Sequence, residues 1–249
     1  NDSTLVDVTF SSGWSMELLP VYCSAWADYN NDGWLDCYLS QRRGIDTSMN
    51  LLYRSNRDGT FTEVATDLGV DDTQGMTYQA VFFDYDRDGD VDLFTANDKW
   101  ATHNSFFENN GDGSFTDITF SSGLGAYMEG MGVSIGDFDN NGYLDLYVAN
   151  ASAVDTTLDS GNKLYLNNGS GDWVEVAESL GIEANYTVWG VNMFDVENDM
   201  DLDIFCVSSG GPAEESQILY LNEGGSMLLS DDTSFHSASA LSYGSSIGD

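Results

Sequence analysis

Four copies of one acidic nonapeptide recur along the chain, each between two apolar runs. They read DYNNDGWLD from Asp28, DYDRDGDVD from Asp84, DFDNNGYLD from Asp137 and DVENDMDLD from Asp195. Their first residues are 56, 53 and 58 positions apart. A period of this size, repeated with its flanks, restricts the chain to a repeat architecture in which each unit buries its apolar face against the next. The flanks repeat as well. An apolar run follows each nonapeptide, and after a variable stretch comes a second run, LLYRS, SFFEN, KLYLN or ILYLN. Turns rich in Asn, Asp and Gly come next (NRDGT, NGDGS, NGSGD, NEGGS), then short segments such as FTEVA, FTDIT and WVEVA. Short alternating runs bounded by turn residues, with only two prolines, are β signals.

Each unit therefore reads as four antiparallel strands, a to d, and the chain as an all-β propeller of four-stranded antiparallel blades. The expected blades are 21–74, 75–130, 131–187 and 188–241. Partial blades are expected at 1–20, where LVDVTFSSGW resembles FTDITFSSGL as an outer strand, and at 242–249, where YGSSIGD resembles MGVSIGD. That makes about four and a half blades. A seven-blade ring of this period needs roughly 390 residues. The expectation is a segment of such a ring, or a ring completed by strands of another chain.

The nonapeptides follow Asp-x-(Asp/Asn/Glu)-x-(Asp/Asn)-x-x-x-Asp. Calcium takes six to eight hard oxygen ligands in flexible geometry, whereas magnesium demands a tight octahedron and keeps its water. One Ca²⁺ per loop, about four in all, is the reading. Side chains at positions 1, 3, 5 and 9 would supply most ligands: Asp28, Asn30, Asp32 and Asp36; Asp84, Asp86, Asp88 and Asp92; Asp137, Asp139, Asn141 and Asp145; Asp195, Glu197, Asp199 and Asp203. The backbone carbonyl at position 7 (Trp34, Asp90, Tyr143, Asp201) would add one more. Position 6 is Gly33, Gly89 and Gly142, which take the positive φ of a sharp bend at little cost. Met200 stands there in the fourth loop, which is expected to be distorted, weaker or strained by about 1 kcal/mol. The spacing matches the start of an EF-hand loop, but the flanks are strands and the twelfth-position Glu is absent.

At these residues the chain resembles the FG-GAP/VCBS repeats of integrin α-subunit propellers and of the cartilage acidic protein group. The resemblance spans nearly the whole chain and implies a propeller, structural calcium in the loops, an extracellular setting and ligand binding through surface loops. Met200 departs from the pattern.

Composition narrows the functions. With 42 acidic and 7 basic residues the net charge is −35, which repels nucleic acid and anionic membrane surfaces. No apolar run approaches the ~20 residues of a membrane helix. Cys23, Cys37 and Cys206 form no metal motif. Cys37 and Cys206 align with aliphatic residues of other units and read as buried, with at most one disulfide expected. His103 and His236, the two histidines, lie in no nucleophile motif. The b–c loops carry Arg42, Arg43, Lys99, Trp100 and His103, a cationic and aromatic set suited to an acidic or sugar ligand. Asn1, Asn150, Asn168 and Asn185 open glycosylation sequons. The expected function is a secreted, non-catalytic calcium module that recognises protein or carbohydrate. Alternatives are a structural subunit that assembles by strand sharing between chains, and a polysaccharide-active enzyme domain.

Overall fold

The computed structural model describes residues 5–14, 20–41, 49–73, 75–98, 102–151, 160–184, 186–209 and 217–230. These contain four sheets of four antiparallel strands each. Blade one holds β1 (Val21–Ala27), β2 (Asp36–Gln41), β3 (Leu51–Ser55) and β4 (Phe61–Glu63). Blade two holds β5 (Thr77–Phe83), β6 (Asp92–Asn97), β7 (Ser105–Asn109) and β8 (Phe115–Asp117). Blade three holds β9 (Gly130–Gly136), β10 (Asp145–Asn150), β11 (Lys163–Asn167) and β12 (Trp173–Glu175). Blade four holds β13 (Thr187–Phe194), β14 (Asp203–Ser209), β15 (Gln217–Asn222) and β16 (Met227–Leu229). In every sheet the strands pair in chain order.

Neighbouring sheets pack through their inner strands: β1 on β5, β5 on β9, β9 on β13. Gly132 of β9 meets the Cα of Gly190 in β13 so closely that a Cβ would lie 2.8 Å from it, so this crossing requires glycine. The second strands are covered on both faces; all six residues of β6 and of β10 are buried. The fourth strands run outermost, two of three residues exposed in each. One apolar core fills each junction. Tyr38 and Leu52 meet Leu93 and Phe107 between blades one and two. Phe94 and Phe106 meet Leu146 and Tyr165 between blades two and three. Tyr147 and Leu164 meet Ile204 and Ile218 between blades three and four. Each fully buried side chain of this kind contributes about 1.5–3 kcal/mol. These stacked, four-stranded blades form the propeller architecture.

Several details differ from the sequence reading. The segments after β4 and β12 wind into one-turn helices, α1 (Ala65–Leu68) and α2 (Ala177–Leu180), each closed by a left-handed glycine, Gly69 or Gly181. Residues 5–8, read as an outer strand, pair with no strand among the described residues. The turn that follows them does repeat: Ser12 N–H donates to Val8 O at 2.9 Å, as Ser122 N–H donates to Ile118 O. Cys23, Cys37 and Cys206 are all free, and burial pushes the Cys37 and Cys206 thiols up to about 12. Asn150 is fully buried and its amide donates to Gly161 O at 2.9 Å, so that sequon is closed to a glycan. Asn168 is exposed in the turn after β11. Asn1, Asn185, Arg42, Arg43, Lys99, Trp100, His236 and residues 242–249 lie outside the described residues. Among the described residues no helix is long and apolar enough to cross a membrane.

Candidate metal centres

Each nonapeptide forms the turn between the first and second strands of its blade, so all four lie at the same end of the sheets. Their folding is dictated by short side chains bonding to nearby backbone. The N–H of position 6 donates to the position-1 carboxylate in all four: Gly33 to Asp28 at 2.7 Å, Gly89 to Asp84 at 3.1 Å, Gly142 to Asp137 at 2.9 Å, Met200 to Asp195 at 2.9 Å. The N–H of position 7 donates to the position-5 side chain: Trp34 to Asp32, Asp90 to Asp88, Tyr143 to Asn141 and Asp201 to Asp199, at 2.8–3.0 Å. These bonds curl the chain, and in loop two the oxygens of positions 1, 3 and 5 converge.

The position-9 aspartates are buried. They fasten the loop to the third strand, whose last N–H donates to them: Ser55 to Asp36, Asn109 to Asp92, Asn167 to Asp145 and Asn222 to Asp203, at 2.7–2.9 Å. In loops two to four the other oxygen accepts the position-2 N–H of Tyr85, Phe138 or Val196. Burial raises the carboxyls of Asp36, Asp92 and Asp145. Asp36 and Asp145 reach about 6 and Asp92 about 7, with the neighbouring loop carboxylates pushing the same way.

Carboxylate oxygens of Asp84, Asp86 and Asp88 lie within 4.8 Å of one another, and so do those of Asp137, Asp139 and Asp145. Within this crowding, Asp84 Oδ1 and Asp137 Oδ1 are buried and accept no hydrogen bond; neither does Asp36 Oδ2 in loop one. In loop one, Arg57 reaches Asp32 Oδ2 with Nε at 3.2 Å and a terminal guanidinium nitrogen at 3.1 Å. In loop four Glu197 is exposed, and the Asp199 N–H turns to Asp195 instead.

The nonapeptide pattern, its placement between strands a and b, and the blade topology agree with what the family comparison finds. The FG-GAP-like repeat matches residues 28–95, 84–148 and 151–206. The chain belongs to the FG-GAP-like repeat family. No curated protein matches it. Among solved structures, the chain is similar to a GH43_1 enzyme from Xanthomonas citri crystallised with xylose, at TM-score 0.43 and 11% identity, covering 86% of this chain and 74% of that one. It is also similar to a GH43 β-1,3-galactosidase at TM-score 0.42 and 11% identity, covering 85% and 46%. Neither likeness bears on the chemistry of this chain.

Two elements of these FG-GAP-like loops escape the ligand pattern. Position 4 is left-handed in every loop: Asn31 at φ 53°, Arg87 at 66°, Asn140 at 58° and Asn198 at 60°. Asparagine at three of the four is the signal, since it tolerates this region better than most residues. The second element is a seam between blades. The Asn109 amide donates to Tyr29 O at 2.7 Å, Asn167 to Tyr85 O at 2.7 Å and Asn222 to Phe138 O at 3.5 Å. Each of the first three loops is thus held by the third strand of the following blade. Position 4 also reaches forward: Asn31 bonds Asp90 at 2.5 Å, Arg87 lies 5.4 Å over the Tyr143 ring, and Asn140 bonds Asp201 at 2.9 Å.

Met200 has φ 79°, close to the 88°, 96° and 92° of Gly33, Gly89 and Gly142. The fourth loop keeps the same bend, with a side chain carried in a region that disfavours one. His103 packs on Phe120 at 4.7 Å and Tyr127 at 5.6 Å, and Nδ1 lies 2.8 Å from Asn104 O.

Proposed function

We propose that this chain is a non-catalytic, extracellular recognition module whose blades are stiffened by calcium held in the four acidic loops. The observation that carries the reading is the pair of orphaned oxygens, Asp84 Oδ1 and Asp137 Oδ1, buried among carboxylates. A buried carboxylate oxygen without a donor is costly unless a cation faces it. Positions 1, 3, 5 and 9 offer only oxygen, and the loop bends on flexible backbone, which suits a large hard ion. Asp28, Asp84, Asp137 and Asp195 at position 1 would hold it with positions 3, 5 and 9, and the bound charge would offset the repulsion among them.

Saturation of the shell by protein oxygens argues for a structural ion, because a catalytic one keeps an open position. Free calcium at the levels found outside cells suffices for sites of this kind. Recognition of protein or carbohydrate is assigned to the b–c loops at the opposite end, where loops vary without disturbing the sheets. The test is calorimetric titration of Ca²⁺ into exhaustively chelated protein. About three to four ions per chain are expected, with D84N and D137N each removing one. Fewer than two ions, or no loss in either variant, overturns the reading.

A further inference from the structure

The first two blade junctions are built alike at the loop end, and the third departs from them. In junction one–two, Tyr29 at loop position 2 packs on Phe115 at 5.7 Å, and its hydroxyl faces Arg54 of β3. In junction two–three, Tyr85 stacks on Trp173 at 6.2 Å and its hydroxyl donates to Glu108 of β7 at 3.1 Å. In junction three–four every one of these roles changes. Phe138 replaces the tyrosine, Leu166 stands where Arg54 and Glu108 stand, and Met227 takes the place of Phe115 and Trp173. A cavity of about 370 Å³ lies here, within the size range of small-ligand pockets and, unlike the polar hollow beside Arg54 at loop one, walled by apolar side chains. Phe138, Leu166, Val176 and Leu180 give it apolar walls, and Asp139 and Asp201 stand at its polar side.

Charge distinguishes the third junction too. The first holds Arg54 and the second holds Arg87 over Tyr143, whereas no basic residue lines the third. Asp201 occupies loop position 7, where the backbone carbonyl and not the side chain is the candidate metal ligand. Its carboxylate is held in place by Asn140 at 2.9 Å and the Gly224 N–H at 3.1 Å. Asp201 thus presents its carboxylate, held by two hydrogen bonds, beside an apolar hollow.

We propose that this cavity is a binding site for an amine carried on an apolar body, its ammonium paired with Asp201 and its hydrocarbon part on Phe138 and Leu166. The ligand supplies the cation that the other two junctions provide from their own arginines. The site is separate from the recognition loops proposed above, and it does not depend on them.

The experiment is a titration of the calcium-supplemented chain, followed by amide chemical shifts, with three probes of one shape: 2-phenylethylamine, 2-phenylethanol and phenylacetate. The amine is expected to bind saturably and about tenfold more tightly than the alcohol, as a charge-assisted contact would confer, with shifts confined to the cavity. Phenylacetate is expected not to bind. Asp201→Asn should bring the amine to the level of the alcohol, while Asp172→Asn, an exposed acid outside the cavity, should change nothing. The double variant Phe138→Tyr/Leu166→Arg, which installs the pair of the first junction, should abolish binding. No saturable amine binding, equal binding of the three probes, or equal effects of the two Asp variants would each overturn the site. If the double variant does not fold, the Asp201 and Asp172 variants decide alone.

Discussion

The two ends of each blade handle buried polarity in opposite ways. At the b–c end, neutral amides clasp the strand ends, joined in blade two by the buried Asp72. Asn50 accepts from the Gln41 N–H at 2.8 Å, Asn104 from Asn97 at 3.0 Å and Asn162 from Asn150 at 2.9 Å, one such clasp before the third strand of three blades. The Asn162 amide also donates to the Tyr147 hydroxyl at 2.9 Å. At the a–b end the same job falls to carboxylates, and some of their oxygens find no donor within the protein. The clasp end relies mainly on neutral partners, with Asn104 Nδ2 and Ser40 Oγ left over; the loop end crowds carboxylates whose compensation is the cation proposed above. Buried polar groups demand compensation, but the source of that compensation decides whether an element's stability is intrinsic or conditional.

Chelation is the largest test of this contrast. Four sites held at a hundredfold excess over their dissociation constants would together be worth on the order of 10 kcal/mol. Removal of calcium is therefore expected to lower the melting temperature by tens of degrees. Hydrogen exchange should quicken first at residues 28–36, 84–92, 137–145 and 195–203, with the amide clasps still protected. Uniform loss of protection at both ends would break the comparison.

Acidity should separate the ends less strongly. Asp36, Asp92 and Asp145 have folded-state pKa values raised to about 6, 7 and 6, above those of an unfolded carboxyl. A raised pKa means that the folded form binds the proton more tightly. Its contribution is fully present below about pH 4 and is lost as pH rises through 6 to 7. In chelator, melting temperature is accordingly expected to fall between pH 4 and pH 7, and saturating calcium should flatten or reverse that slope. Asparagine does not titrate, but Asp72, buried at the clasp end and bonded to Thr95, Asn97 and Ser105, is also raised by burial and adds to the slope in blade two. A chelated protein whose stability rises across this range would contradict the assignment.

The smallest effect sharpens the contrast within the loop end. Met200→Gly relieves a left-handed side chain that is 80% exposed and packs on little. A gain of about 1 kcal/mol is expected in denaturant titration. Gly142→Ala should cost about as much in loop three.

Much of this was legible in the sequence because the repeat displays it four times. Strand order, the place of each acidic loop between strands a and b, and the burial of Cys37 and Cys206 follow from position-by-position recurrence. What recurrence cannot show is the partner. Asn109, Asn167 and Asn222 visibly repeat at the end of the third strand, yet their acceptors lie 80 or more residues away in the preceding blade. Arg57 stands where the other turns have Gly111, Gly169 and Gly224; its bond to Asp32 joins segments 25 residues apart and has no counterpart to align with. The cavity at the third junction is legible only as a set of departures, and departures acquire meaning once the other two junctions are seen.

The asparagine seam gives the row of blades a direction. Loop one leans on blade two, loop two on blade three, loop three on blade four, and no reciprocal bond runs backwards through these amides. Trimming a blade from one side and from the other would therefore be unequal operations. Losing a following blade unmoors the acidic loop before it, while losing a preceding blade leaves the next loop with its anchor intact. Like overlapping roof tiles, the units shed damage one way.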